Sequence, residues 1–225
     1  MTPERPGIIA ALRSEMQVLE ADGKASRMLR AQSGPGPVRA EVAGERLLTL
    51  GADALLSWGC AGALHPDRRP GELIIPEQLI AGDGDTLLAS IQWREWLLGR
   101  LECAVFSGPI TESDTPLTEV ASKHDLYLHT GACAVDMESV ALARVARRHD
   151  VPFLALRAVA DRADQALPRR SAALIKADGS LRASAIGRAL ATGPGEWRRL
   201  RQAAKGFNRA LATLRQARRN NIFPA

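Results

Sequence analysis

The sequence is short of several things, and each shortage excludes a class of protein. No stretch reaches about 18 uncharged apolar residues, so no membrane-spanning helix is expected. The opening MTPERPGIIAAL holds an apolar run too short and too poorly flanked for a signal peptide. There are only three cysteines, Cys60, Cys103 and Cys133, an odd number without metal-ligand spacing. Free thiols in a reducing cytoplasm fit them best. The four histidines form no metal-binding cluster, and no Ser–His pair suggests an activated nucleophile. Zinc-finger spacing, an aromatic–basic RNA signature and internal repeats are all missing, so nucleic acid is not an expected partner.

What is present suits one substantial core. The chain has 225 residues, 46% of them hydrophobic, which is read as a single domain over 1–225. The net charge is +5 and the isoelectric point about 9.6. Much of the excess lies in the tail, EWRRLRQAAKGFNRALATLRQARRNN, which reads as the solvated face of an amphipathic helix. An anionic membrane surface is the other partner that such charge allows.

Along the chain, strands are expected at 7–12, 27–32, 54–59, 72–81, 103–108 and 153–159. Helices are expected at 14–21, 38–51, 90–102 and 138–149, the last stopping before Val151-Pro152 as proline requires. SGPGP at 33–37 is a turn. Residues 162–194 are the least regular part and read as a long active-site loop with a short helix. The strands are unbroken apolar runs alternating with helices, the pattern of a largely parallel sheet covered on both faces. The expected fold is therefore α/β, a three-layer αβα arrangement around a mixed, mostly parallel sheet.

Strand ends in such a sheet lie along one edge, where ligands bind. The first strand ends at Arg13-Ser14-Glu15. The run SWGCAGAL offers Gly59 and Gly62, where backbone N–H groups can approach a ligand. AVDMESVALARVA places Asp136 and Glu138 at a strand-to-helix junction, where acids also act as ordinary caps. The last strand runs into Asp161. Glu15, Glu138 and Asp161 can thus converge without being close in sequence. Three carboxylates with no metal or nucleophile cluster suit glycosidic chemistry, in which an acid serves the leaving group and a carboxylate serves water or the sugar cation.

The stretches GIIAALRSEMQVL, SWGCAGAL…PGELIIPEQLI and AVDMESVALARVA…VPFLALRAVADRAD together resemble the nucleoside phosphorylase superfamily, in particular its adenosine-type nucleosidases, from residue 7 to about 166. TGACAVDMES and ADQALP…DGSL are most similar to the hopanoid-biosynthesis-associated branch, whose members remove adenine from adenosylhopane. The resemblance implies the fold of that superfamily, a homodimer, no metal or cofactor, and a small-molecule nucleoside with a hydrophobic 5′ substituent. It implies that Glu138 hydrogen-bonds the ribose hydroxyls, Met137 packs on the ribose, Asp161 protonates purine N7, and Glu15 positions the attacking water. Arg157, Cys60, Ala61 and Gly62 line the same pocket. Protonation of Asp161 is expected to be helped by burial.

This chain departs from the family pattern in places. Ala160 stands where a serine often precedes the last acid, and Cys60 where the glycine turn has serine. Leu117 or Pro116 replaces a stacking aromatic, and residues 22–36 are shortened. Hydrolysis is favoured over phosphorolysis. A phosphate dianion needs cationic donors, yet Ser57 stands where related phosphorylases carry arginine, and their Gly-Asp-Pro-x-x-Arg segment is missing. Arg13 and Arg157 keep phosphorolysis, with inorganic phosphate as co-substrate, an open alternative. A non-catalytic nucleoside-binding protein is the third reading. A cytoplasmic location is expected. Transient docking at the inner membrane is an option through the basic tail or through SIQWREWLLGRLE, whose Trp93, Trp96, Leu97 and Leu101 repeat at helical spacing. That stripe equally suits a helix facing the core or a partner subunit.

Overall fold

A strand buried on both faces is mostly apolar, and the apolar runs at Gly7–Ala10, Leu55–Ala63 and Phe153–Asp161 become the centre of the sheet, with Ser57 and Arg157 as buried polar exceptions. The computed structural model describes residues 2–20, 28–168, 193–220 and 222–223. In chain order it contains β1 (Gly7–Ala10), α1 (Arg13–Glu20), β2 (Leu29–Gln32), α2 (Pro37–Thr49), β3 (Leu55–Ala63), β4 (Leu73–Ile74), β5 (Gln78–Ile80) and β6 (Thr86–Leu88). Then follow α3 (Ile91–Leu98), β7 (Val105–Phe106), β8 (Ile110–Glu112), α4 (Val120–Thr130), β9 (Ala134–Asp136), α5 (Ser139–Arg148), β10 (Phe153–Asp161) and α6 (Pro194–Arg219).

Alternation along the central strands sorts side chains into two apolar layers. Ile8, Leu56, Trp58, Leu154 and Leu156 pack with residues of α1, α3 and α6. Ile9, Leu55, Phe153 and Ala155 pack with residues of α2 and α5 on the other face. The result is the expected three-layer α/β arrangement. The ladders β10–β4, β3–β9 and β5–β6 are antiparallel, and the other described ladders are parallel.

The sheet forks at β3. One edge of β3 pairs with β10 along nearly its whole length, from Leu55 to Gly62. The other edge pairs first with β1, as far as Trp58, and then with β9, starting at Gly62. Gly59, Cys60 and Ala61 lie between the two partners, where the backbone has no strand neighbour on that side. That gap is where the acidic side chains gather.

Several sequence expectations change. The single strand expected at 72–81 is two, because Pro76 has no N–H to give a ladder. β4 joins β10 and β7, while β5 joins β8 and β6. Helix α4 has no counterpart in the sequence reading, since Lys123 is its only buried residue and it has no apolar stripe. The short β6 and β8 were likewise not foreseen. Trp93 and Leu97 of α3 are 1% and 0% exposed, so this stripe belongs to the core rather than to a lipid surface. Trp96 lies beneath the Arg100 guanidinium, 3.8 Å from the ring centroid. Most of the loop expected at 162–194 falls outside the described residues, as does the DGSL part of the branch resemblance. Among the described residues no helix is long and apolar enough to cross a membrane.

The tail helix α6 closes one face by resting on β10. It can come so near because residue 206 is glycine: a Cβ there would lie 2.0 Å from the Ala160 carbonyl oxygen. Ala160 is the residue left over where β10 shifts register between Val159 and Asp161, so the contact also fixes the approach to Asp161. Gly206→Ala is expected to lower the melting temperature, by an overpacking cost of about 1–3 kcal/mol. Gly195→Ala on the same helix, where a Cβ meets nothing within 4 Å, is expected to leave it unchanged or slightly raised. Equal thermal melts for the two variants, followed by circular dichroism, would show that α6 can shift freely.

Candidate active site

The gap in β3 is filled by a side chain. Glu15 enters from the first turn of α1, is 2% exposed, and accepts hydrogen bonds from Leu12 N–H at 2.9 Å and Cys60 N–H at 2.8 Å. A carboxylate thus replaces the missing strand as partner for Cys60. Gly59 permits this, because a Cβ there would stand 2.7 Å from both Glu15 Oε1 and Arg157 Nη1. Burial raises the Glu15 proton affinity, while Arg157 and the two backbone donors oppose that rise.

Asp136 and Glu138 differ sharply in their duties. Asp136 ends β9 and faces inward. Its Oδ1 accepts from Glu138 N–H at 3.0 Å and Ser139 N–H at 2.9 Å, capping the free donors at the start of α5. Its Oδ2 accepts from the Ser139 hydroxyl and pairs with Arg157 Nε at 2.7 Å. The first acid of the motif is therefore a structural anchor. Glu138 turns the other way, accepting from Gly36 N–H at 2.9 Å with Arg157 Nη2 at 3.6 Å. Burial pushes it up to about 7 against the pull of Arg157, and repulsion from Asp136 adds to the rise. Met137, between the two acids, is half-buried.

Arg157, in the middle of β10, is 1% exposed. Besides its two carboxylates it donates to the hydroxyls of Ser57 and Ser139 and to the Cys60 carbonyl at 3.4 Å. Its Nε and Nη2 therefore serve protein groups, and the side chain lies beneath the site rather than on its lining. Arg13, the other arginine considered for an anion, is exposed at the start of α1.

On the far side of the gap stands Asp161, the last residue of β10, 7% exposed. A Cβ at Gly62 would lie 3.4 Å from both of its carboxyl oxygens. Burial raises its proton affinity, but a partner that the sequence did not reveal opposes this. Lys123 of α4 donates to Asp161 Oδ2 from a fully buried position. Cys60 lies between the acids, and burial, with Glu15 and Asp161 beside it, pushes its thiol well above the usual range. Leu117 packs with Leu64, Ala132 and Val135. Its loop is held to the segment after β10 by Leu167 N–H to Thr118 O, 2.9 Å.

The structure thus places Glu15, Cys60, Ala61, Gly62, Glu138 and Asp161 around one gap, with Met137 at the junction that carries Glu138, Leu117 on the loop beside it and Arg157 underneath. Sequence reasoning missed Lys123 and Ser139, saw Ser57 only as the absence of an arginine, and read Asp136 as no more than an ordinary cap. Only Asp136 had a usable signal, an Asp two and three residues before free helix N–H groups. Among the described residues no group of three His, Cys, Asp or Glu is placed to hold a metal ion. Burial thus favours the protonated form of all three acids around the gap, each against a different opposing cation or donor.

The fold is that of nucleoside phosphorylases and nucleosidases. The 5′-methylthioadenosine/S-adenosylhomocysteine nucleosidase of Neisseria meningitidis, solved with methylthio-immucillin-A, superposes with a TM-score of 0.74 at 20% identity, covering 97% of this chain and 98% of that one. The Helicobacter pylori nucleosidase of the same name gives 0.71 at 19% identity, covering 98% and 97%. Futalosine hydrolase of Helicobacter pylori gives 0.67 at 19% identity, covering 94% and 97%. Residues 15–192 match the phosphorylase superfamily, and the chain belongs to it.

The Arg157 cluster generates a stability prediction. Arg157→Met leaves Asp136 and Glu138 buried without their cation, at an expected cost of about 3–5 kcal/mol. Urea denaturation should show the loss as a lower midpoint, with the exposed Arg13→Met as an unchanged control. A native midpoint for Arg157→Met would mean that the two carboxyls do not need this cation to stay buried.

Proposed function

We propose that this chain hydrolyses the N-glycosidic bond of an adenosine-type nucleoside and releases adenine. The observation that carries the choice of water over phosphate is the state of Arg157. Its charge is already matched by Asp136 and Glu138, its Nε and Nη2 are spent on Asp136, Ser57 and Ser139, and its Nη1 is turned to the Cys60 carbonyl, so a phosphate dianion would have to compete with two buried carboxylates for it. Glu15 adds negative character where phosphate would have to sit. The solved structures of similar fold named as nucleosidases or as futalosine hydrolase support the same reading.

In this mechanism the ribose lies between the gap in β3 and the β9–α5 junction. Glu138 accepts the ribose hydroxyls and Met137 packs on the sugar. Cys60, Ala61 and Gly62 form the backbone wall, and Leu117 packs on the base. A water held by Glu15 attacks C1′ and gives its proton to that carboxylate. The C1′–N9 electron pair moves into the base as Asp161 donates a proton to N7, so adenine leaves neutral. General acid catalysis of this kind contributes roughly 10²–10⁴-fold. No metal or cofactor enters these steps.

The narrower substrate in this proposal is a nucleoside with a hydrophobic 5′ substituent, adenosylhopane being the one that the branch resemblance suggests. A basic surface near the site fits an approach to anionic lipid. Arg69, Arg162, Arg198, Lys205 and Arg209 line a cleft of about 890 Å³ between α6 and the turn after β10, and Trp197 beside it is 52% exposed. Any docking would therefore use α6 rather than α3.

Two measurements test the proposal. In phosphate-free buffer, adenosine-type nucleosides should yield adenine and the free sugar, and Asp161→Asn should lose most turnover while keeping its circular dichroism spectrum. A strict need for phosphate, with sugar 1-phosphate as product, would overturn hydrolysis. At low salt the wild type should co-sediment with anionic vesicles and Trp197→Ala/Arg198→Ala should not. Wild type left in the supernatant would remove the membrane contact.

A further inference from the structure

Helix α4 buries one side chain, Lys123, and that burial has a narrow purpose. An ammonium has three N–H donors, and all three are used. One goes to Asp161 Oδ2, one to the Arg162 carbonyl at 2.8 Å and one to the Gln165 carbonyl at 3.0 Å. No donor remains for a ligand, so Lys123 can act on a substrate only through Asp161. Burying a lone ammonium is costly, and an apolar residue would have packed α4 more cheaply. A mere fastener for the turn after β10 needs hydrogen bonds but no charge.

The surroundings of Asp161 make Lys123 its dominant charged contact among the described residues. From β3 it faces the Cys60 thiol, kept protonated by burial, with the Glu15 carboxylate beyond. Arg162, next along the chain, is turned away onto Asp164, with contacts of 2.6 and 2.7 Å. Lys123 thus meets the carboxyl from α4, and no described residue donates to Oδ1.

We propose that Lys123 is a positioning residue for Asp161: its ammonium fixes Oδ2, so that Oδ1 carries the proton given to the leaving base. The proposal rests on Asp161 being the acid of the glycosidic step. As the C1′–N9 bond breaks, the Oδ1–H proton passes to N7 and its bonding pair stays on the carboxylate. The ammonium stabilises that carboxylate and keeps its own protons throughout. It favours the transition state in which the proton is leaving, at the expense of the protonated fraction beforehand. Burial raises the proton affinity of Asp161 and Lys123 lowers it, so the sign is fixed. Without the cation, Asp161 holds its proton to higher pH but gives it up less readily.

The test compares wild type, Lys123→Met and Lys123→Gln. The glutamine keeps an N–H donor for the carbonyls without the charge, and serves if the methionine variant fails to fold. Two readouts are followed: the pH profile of kcat/KM, and the 13C NMR titration of aspartate carboxyls, with Asp161→Asn assigning the resonance. In either neutral variant the Asp161 titration and the alkaline limb of kcat/KM should move together to higher pH. The plateau kcat should fall by roughly 10-fold or more, within the range of acid catalysis, with KM little changed. Lys123→Arg should stay closer to wild type on both readouts. A folded neutral variant with an unmoved Asp161 titration overturns the proposal and leaves Lys123 a fastener. A titration that moves, while Asp161→Asn keeps full turnover, supports the coupling and removes Asp161 as the acid.

Discussion

Arg157 is a permanent cation sealed in the central strand β10, and its position constrains almost everything around it. A buried guanidinium is tolerable only with its charge matched and its donors filled. Asp136, at the end of β9, supplies the close match at 2.7 Å. Ser57 from β3 and Ser139 from α5 fill further donors. One side chain thereby locks together β3, β9, β10 and the start of α5. Glu138 owes its orientation to the same lock, because Asp136 holds both the Glu138 N–H and the Arg157 guanidinium.

The same lock shapes the chemistry. The charge of this arginine is matched by protein carboxylates before any ligand arrives, and the fork in β3 that could have been closed by another strand is filled by Glu15 instead. The gap is thus bordered by acids whose burial favours protons: Glu15 on the β1 side, Glu138 below, Asp161 beyond Gly62. Each acid has a different counterweight. Backbone N–H groups and Arg157 act on Glu15, Arg157 on Glu138, and Lys123 on Asp161. Different environments for chemically similar groups are how one site assigns different proton duties.

Much of this was legible beforehand. Runs such as GIIA, and FLALRAV with its single arginine, announced strands covered on both faces, and the acids at strand ends announced where to look. Errors came where local pattern carries little signal. ELIIPEQLIA looks like one strand, yet Pro76 divides it between two arms of the sheet. SIQWREWLLGRLE has a stripe that fits core or lipid equally, and only the burial of Trp93 decides. VASKHDLYLHT has no apolar period, because the residue it buries is a lysine.

The sequence by itself determined which residues are apolar in unbroken runs, where helices start and stop, and therefore the layered fold and the candidate acids at its edge. Those are local properties, set by side-chain period and capping chemistry within a few residues. Only the tertiary structure decided which charges meet. Lys123 reaches Asp161 across 38 positions, and Arg157 reaches Ser57 across 100. Such pairings depend on strand order and on the fork at β3. Neither leaves a trace in local spacing, since a buried lysine and an exposed one are written with the same letter.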